Sequence, residues 1–105
     1  MILKKQIKEL VDILTKKFNT KKIFIFGSYA YGAPNLDSDL DLCITTELGV
    51  TRKIDLLREV RKEIMVSFQF PIDLLIYDDK EFAERAAHKN TLEYKISNQG
   101  LLIYG

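Results

Sequence analysis

Apolar residues recur along the chain with two spacings, one typical of helices and one typical of buried strands. Helical spacing relates a first set near the start of the chain: Leu3, Ile7, Leu10, Leu14 and Phe18. The same spacing relates a second set in the middle: Ile54, Leu57, Val60, Ile64 and Phe68. Lysines lie between the members of the first set, and the second set is interspersed with the charged pairs Asp55/Arg58 and Glu59/Lys62. Each set therefore predicts an amphipathic helix, the first ending near Asn19.

Three short apolar runs predict buried strands. They are Ile23–Phe26, Leu40–Ile44 and Ile72–Tyr77, and the first consists entirely of β-branched and aromatic residues. The second long helix lies between the last two runs, so it would cross over from one strand to the other. The sequence therefore predicts an α/β domain with a small mixed sheet backed by helices.

The last quarter of the chain predicts two short helices and a final apolar segment. Asp78 to Glu81 resembles a capping box and would start one helix, while Thr91 to Asn98 would form another that stops at Gly100. The segment Leu101–Tyr104 has two interpretations. A core or edge strand is favoured, and an exposed apolar patch that waits for a partner is the alternative.

The most informative residues are two aspartates that flank one leucine. The strand period of two places Asp39 and Asp41 on one face and Leu40 on the core side. Like charges so placed repel each other unless a cation lies between them. Magnesium is the natural candidate because it prefers oxygen ligands, often one or two carboxylates together with substrate phosphates. A solvated acidic loop is the alternative, because aspartate and serine are common in turns.

A glycine-serine turn and a third aspartate extend this hypothesis. Gly27 allows a sharp turn after the first strand, and Ser28 falls where a helix would begin, so its hydroxyl could cap that helix or the turn could hold phosphate. Asp73 interrupts the third apolar run. It could be the exposed residue of a half-buried strand, or it could complete a cluster of three carboxylates able to hold two metal ions.

Together these residues resemble the DNA polymerase beta-like nucleotidyltransferase superfamily. Gly27-Ser28 is followed, after ten intervening residues, by Asp39-x-Asp41, and Asp73 matches the third acid of that superfamily. The length of the chain is similar to that of the minimal nucleotidyltransferases, the antitoxin half of HEPN/MNT toxin–antitoxin pairs. The resemblance implies that Gly27 and Ser28 contact the nucleotide triphosphate and that Asp39 and Asp41 bind both metals. It also implies that Asp73 binds one metal and helps to deprotonate the attacking hydroxyl.

The resemblance also implies an activity, a donor and a partner. A Mg²⁺-dependent transfer of AMP from ATP to a tyrosine of a HEPN-domain toxin is expected, with two Mg²⁺ ions. Many relatives carry an arginine directly after the serine or two residues later, whereas this chain has Tyr29 and Tyr31 there, which predicts slower turnover. Two alternatives remain open, namely an antitoxin that acts by binding alone and a transferase that modifies a small hydroxyl compound with a helper subunit.

Composition agrees with this hypothesis and narrows the class of partner. The 105 residues predict a single domain over 1–105, with 47% hydrophobic and 30% charged residues. The balance of 16 basic and 15 acidic residues argues against binding to a long nucleic acid. The sequence contains neither a membrane-length apolar stretch nor a signal peptide pattern, so a cytoplasmic protein is expected, and it could form an oligomer. The lone Cys43 predicts a small buried hydrophobe, and the lone His88 predicts a surface residue.

Overall fold

The computed structural model describes residues 4–32, 34 and 38–105, and these residues alternate between helices and strands. The helices are Lys4–Lys17 (α1), Ser28–Tyr31 (α2), Lys53–Ser67 (α3), Asp79–Ala86 (α4) and Leu92–Gln99 (α5). The strands are Thr20–Phe26 (β1), Leu40–Thr46 (β2), Ile72–Asp78 (β3) and Leu101–Tyr104 (β4). The predicted α/β class is confirmed.

The four strands form one mixed sheet in the order β3-β2-β1-β4. Strand β1 is antiparallel to both of its neighbours, β2 and β4. Strands β2 and β3 are parallel, and α3 makes the long crossover that a parallel pair requires. This crossover places the starts of β2 and β3 side by side at one end of the sheet.

Helices cover both faces of the sheet, so β2 is buried on both sides. One face packs on α1 and α3 through buried apolar residues that include Leu10, Leu14, Leu42, Val60 and Ile64. The other face packs on α4 and α5 through Phe24, Cys43, Tyr77, Phe82 and Ile96. The prediction that Cys43 is a buried hydrophobe is confirmed, and burial raises the pKa of its thiol to about 12.

Helix α1 ends earlier than the sequence predicts. It stops at Lys17, and β1 begins at Thr20, so Asn19 lies in the connection between them. The Thr20 hydroxyl donates a hydrogen bond of 3.0 Å to the Leu14 carbonyl oxygen, which satisfies one of the acceptors left over at the helix end. Leu3, the first residue of the predicted apolar stripe, lies outside the described residues.

The short helices near the end of the chain begin as predicted. The Asp78 side chain caps α4 by accepting a 3.2 Å hydrogen bond from the Lys80 N–H, and the Thr91 hydroxyl caps α5 by accepting one of 3.1 Å from the Tyr94 N–H. Glu81 does not complete a capping box in which it would bond to the cap residue's own N–H. Its carboxylate instead accepts a hydrogen bond from the Lys53 ammonium.

The final apolar segment is an edge strand that remains partly exposed. Strand β4 pairs with β1, which agrees with the favoured interpretation. Leu101, Leu102 and Tyr104 nevertheless keep 48%, 51% and 40% of their surface exposed. His88 is exposed in the turn between α4 and α5, as expected. No helix within the described residues is long and apolar enough to cross a membrane.

Candidate active site

Two of the predicted site residues meet at the start of the parallel strand pair. Asp41 of β2 and Asp73 of β3 are direct neighbours in register, and their carboxyl groups lie close enough to share a hydrogen bond. Asp41 is partly buried, whereas Asp73 is exposed. Parallel pairing in register therefore brings together two acidic groups that are far apart in sequence.

Asp39 lies beside this pair and does not belong to it. It precedes the first residue of β2 and is exposed, so strand geometry does not orient its side chain as the sequence analysis assumes. Its charge is close enough to influence Asp41. Among the residues that the structure describes, no three acidic, histidine or cysteine side chains are already arranged to hold one metal ion.

The electrostatics of the site favour the arrival of a cation. Burial raises the pKa of Asp41, and the neighbouring Asp73 and Asp39 charges and the hydrogen bond with Asp73 raise it further. None of the ion pairs in the described part of the chain includes any of these three aspartates. A hard divalent cation fits such a set of carboxylate oxygens, because it relieves their mutual repulsion.

Gly27 is required for the position of the Asp41 carboxylate. Its backbone has φ 71° and ψ −150°, a region that only glycine occupies readily. A Cβ atom at this position would lie 1.9 Å from Oδ2 of Asp41, far inside contact distance. The sequence explains Gly27 by a sharp turn and a close approach of phosphate. The structure adds a third reason, because the Asp41 carboxylate lies where a Cβ atom of residue 27 would be.

Ser28 does not cap α2, so capping, one of the two roles that the sequence leaves open at this turn, is excluded. Gly27 is the cap residue, no side chain makes a cap hydrogen bond, and Ser28 is the first helical residue. The Gly27 carbonyl oxygen accepts hydrogen bonds of 3.0 Å from the Ala30 N–H and 2.9 Å from the Tyr31 N–H. The backbone alone thus closes the turn, which leaves the Ser28 hydroxyl without a capping task.

The two tyrosines that follow the turn have different surroundings. Tyr29 packs partly against the core on the α1 and α3 side of the sheet. Tyr31 lies at the end of the sheet that carries Asp39, Asp41 and Asp73, which is called the acidic end below. Burial and the charge of Asp41 raise the pKa of Tyr31, whereas a hydrogen bond with the Gly27 backbone lowers it. The ammonium group of Lys95 lies 4.7 Å from the centre of the Tyr31 ring. Sequence analysis misses Lys95, because only the packing of α5 brings it here.

An open groove lies near the start of the parallel strand pair. Its lining includes Gln6, Glu9, Tyr29, Ser38, Phe70 and Pro71. The Leu40 N–H donates a 3.1 Å hydrogen bond to the Pro71 carbonyl oxygen, so this groove borders the start of both parallel strands. Aromatic residues form part of the groove, but none of Asp39, Asp41 and Asp73 is among its lining residues.

Comparison with known proteins places these features in one family. The family described as "Nucleotidyltransferase domain" matches residues 7–98 of the chain. A protein of Methanocaldococcus jannaschii named "putative protein adenylyltransferase" is 31% identical over 94 residues, which cover 85% of this chain and 90% of that protein.

Solved structures share the fold at lower identity. A "putative nucleotidyltransferase" of Sulfolobus solfataricus superposes with a TM-score of 0.65 at 21% identity, over 93% of this chain and 76% of that one. A mutant of the MntA-HepT toxin–antitoxin and a toxin–antitoxin with AMP-PNP each have a TM-score of 0.64, at 15% and 18% identity. Each of these two matches covers 93% of this chain and 72% of the other. These likenesses confirm the predicted nucleotidyltransferase core.

Proposed function

Since the chain belongs to the nucleotidyltransferase domain family, and is an enzyme of that class, we propose that it transfers AMP from ATP to a hydroxyl group of a protein. The observation that carries this proposal is the pairing of Asp41 with Asp73 beside the Gly27 turn. Such a pair has no partner for its charge among the described ion pairs, and nucleotidyl transfer needs a site of this kind. The use of ATP also agrees with the cytoplasmic location that the sequence predicts.

Three carboxylates are available for divalent metal, and we propose that they hold Mg²⁺. Asp39 and Asp41 would serve both ions of a two-metal site, and Asp73 would serve one. When bound, two ions would stabilise the attacking and leaving oxygens of an in-line displacement at phosphorus. The raised pKa of Asp41 supports this assignment, because a group that repels its neighbours gains most from a cation.

The roles of the remaining groups follow from their positions. The Ser28 hydroxyl would donate a hydrogen bond to a triphosphate oxygen, and Gly27 would let the backbone come close to it. Asp73 is exposed, so an acceptor can reach it, and its carboxylate would take the proton of the acceptor hydroxyl. The acceptor oxygen then forms its bond to the α-phosphorus of ATP as the bond to pyrophosphate breaks, and pyrophosphate leaves.

We propose a protein acceptor and, more narrowly, a tyrosine of a HEPN-domain toxin. The Methanocaldococcus jannaschii relative carries the name of a protein adenylyltransferase, and two structural neighbours are toxin–antitoxin proteins. The exposed apolar residues of β4 offer a surface on which a partner could dock.

Intact-mass spectrometry of the partner tests the proposal. The chain, the cognate HEPN-type protein, ATP and Mg²⁺ are incubated together, and the partner should gain the mass of one or more AMP groups. EDTA should prevent this gain. Asp39→Asn should leave the partner bound but unmodified, because Asp39 lies at the acidic end and outside the β4 surface.

A second variant separates nucleotide binding from chemistry. Asp73→Asn should retain substantial ATP binding by calorimetry and lose transfer, since its main role is to accept the proton of the acceptor. Loss of both, with the fold intact by circular dichroism, would make Asp73 chiefly a metal ligand. If the partner's toxicity is suppressed while its mass never rises, the chain acts as an antitoxin by binding alone.

A further inference from the structure

Lys95 carries a positive charge that the rest of the acidic end lacks. Its ammonium group lies 4.7 Å from the centre of the Tyr31 ring, within the range of a cation–π contact. Among the ion pairs between described residues, none includes Lys95. A ring face holds the ammonium in place without neutralising it, so its charge remains available to an anion.

Tyr31 connects this charge to the acidic end. The Tyr31 N–H donates a 2.9 Å hydrogen bond to the Gly27 carbonyl oxygen, and the charge of the Asp41 carboxylate helps to raise the pKa of the Tyr31 hydroxyl. The ring therefore extends from the glycine turn towards Lys95. A phosphate chain lying along the turn would come within reach of a flexible lysine side chain placed over the same ring.

The direction of Lys95 is fixed by the helix that carries it. Its neighbour Ile96 is fully buried in the core, and the Thr91 hydroxyl caps the start of α5. Because this helix cannot rotate without exposing Ile96, the side chain of Lys95 stays on the side that faces Tyr31. The contact thus follows from packing of the whole domain and is not an isolated surface encounter.

The described residues of the chain segments next to Asp41 and Asp73 contain no other cation. Residues 27–32, 34, 38–41 and 68–77 include the three aspartates of the site and no lysine or arginine. A nucleotide triphosphate brings several further negative charges to this place, so a protein cation there would lower the free energy of binding.

We propose that Lys95 binds the β- or γ-phosphate of the nucleotide, with the Tyr31 ring as its support. This inference rests on the proposed function, because it assumes that the nucleotide binds at the Gly27 turn. It assigns α5, an element from the far end of the sequence, to the substrate site. Lys95 would discriminate nucleotides by the length of their phosphate chain.

Calorimetry with two ligands tests the assignment. A non-hydrolysable ATP analogue and AMP are titrated, each with Mg²⁺, into the wild type, Lys95→Met and Lys95→Arg. We expect Lys95→Met to weaken binding of the ATP analogue roughly ten- to a hundredfold, the effect of losing a hydrogen bond to a charged group. The affinity for AMP should not change, and Lys95→Arg should retain most of the affinity for the analogue.

Lys62→Met provides the matched control, because Lys62 is an exposed lysine on α3 and its loss changes the net charge equally. It should bind both ligands like the wild type. A double variant, Tyr31→Arg with Lys95→Met, should recover part of the lost affinity, since it returns one positive charge to the same place.

Each contrary result has a separate meaning. The assignment of Lys95 is overturned if Lys95→Met binds the ATP analogue like the wild type, weakens AMP equally, or behaves no differently from Lys62→Met. In those cases the wild type still binds ATP and the proposed function stands. Failure of the wild type to bind the analogue at all would instead remove the nucleotidyltransferase proposal, and this inference with it.

Discussion

The pair of parallel strands β2 and β3 carries aspartates at both ends, and the pKa shifts at the two ends have opposite signs. At the start of the pair, Asp41 lies next to Asp73, and burial and negative charge raise its pKa. At the far end, the pKa of Asp78 is lowered by hydrogen bonds from backbone N–H groups, first that of Leu48 at 3.1 Å and then that of Lys80 at 3.2 Å. Nearby, Asp79 accepts a 2.8 Å hydrogen bond from the Thr45 hydroxyl.

The aspartates at the far end make hydrogen bonds within the fold, whereas those at the start remain available to a ligand. At the far end the carboxylates accept hydrogen bonds from the protein itself, and those to Asp78 stabilise its ionised form in the folded state. At the start the carboxylates face one another without such donors in the described contacts. Residue type alone does not distinguish the two groups, whereas the supply of donors does.

The largest expected effect concerns activity at the start of the pair. Asp41→Asn should lower AMP transfer roughly a thousandfold, because a bound metal contributes several kcal/mol of transition-state stabilisation. Asp78→Asn at the far end should leave transfer nearly unchanged and lower the melting temperature instead. Steady-state assays with ATP and Mg²⁺, together with thermal unfolding, measure both. Similar losses of activity in the two variants would show that the ends do not differ in function.

A pair of glycine variants tests whether the turn protects the Asp41 carboxylate. Gly27→Ala should lower transfer by about a hundredfold, because its Cβ would displace Oδ2 of Asp41 by an ångström or more. Gly49 also has a positive φ, but a Cβ there would meet no atom within 4 Å. Gly49→Ala should therefore cost roughly 1–2 kcal/mol of stability through backbone strain alone and leave activity intact. Equal activity in both variants would contradict the role of Gly27.

A smaller effect is expected from the Ser28 hydroxyl. Ser28→Ala should weaken ATP binding about ten- to a hundredfold, the cost of one hydrogen bond to a charged group. Its stability should barely change, because this hydroxyl does not cap α2. Ser97→Ala, an exposed serine of α5, serves as the control for ATP affinity and stability. If Ser28→Ala binds ATP like the wild type, the hydroxyl does not contact the triphosphate.

The smallest effect is on the pH dependence of stability without metal. The folded state raises the pKa of Asp41 above its value of about 3.9 in the unfolded chain. The contribution of Asp41 to the free energy of unfolding therefore falls as the pH rises from the unfolded-state pKa through the folded-state pKa. The folded state lowers the pKa of Asp78, so its contribution is present above about pH 3.9 and is lost on further acidification.

Urea unfolding in EDTA at a series of pH values measures both contributions. Asp41→Asn should be more stable than the wild type at pH 7, and this advantage should shrink on acidification. Asp78→Asn should be less stable at pH 7 and should approach the wild type at low pH. A loss of stability at pH 7 in Asp41→Asn would mean that its carboxylate is stabilised by the fold.

Local sequence patterns predict most of the fold and part of the site. Helical spacing gives α1 and α3, apolar runs give β1, β2 and β3, and the crossover by α3 explains why Asp73 lies beside Asp41. The roles of Asp39, Asp41 and Asp73 in metal binding and catalysis remain predictions. Capping patterns give α4 and α5, because a cap depends on a few consecutive residues.

Features that depend on packing between distant segments are not predictable in this way. The contact of Gly27 with Asp41 and that of Tyr31 with Lys95 join elements that are separated in sequence. The capping alternative for Ser28 is excluded for a local reason, since the backbone of the turn already closes α2. Strand alternation predicts that Asp39 and Asp41 share one face of β2. This prediction does not apply to Asp39, because alternation holds only within a strand and β2 begins at Leu40.

The pairing of β4 with β1 has a consequence for synthesis of the protein. Strand β1 is complete by Phe26, but the strand that covers its second edge begins only at Leu101. While the chain is being made, the backbone N–H and C=O groups of that edge, next to buried residues such as Ile25, stay open to other chains. A chain that is released shortly before Leu101 would leave this edge uncovered and would be prone to aggregation. The synthesis of Leu101–Tyr104 is therefore the step at which the open edge of β1 becomes covered.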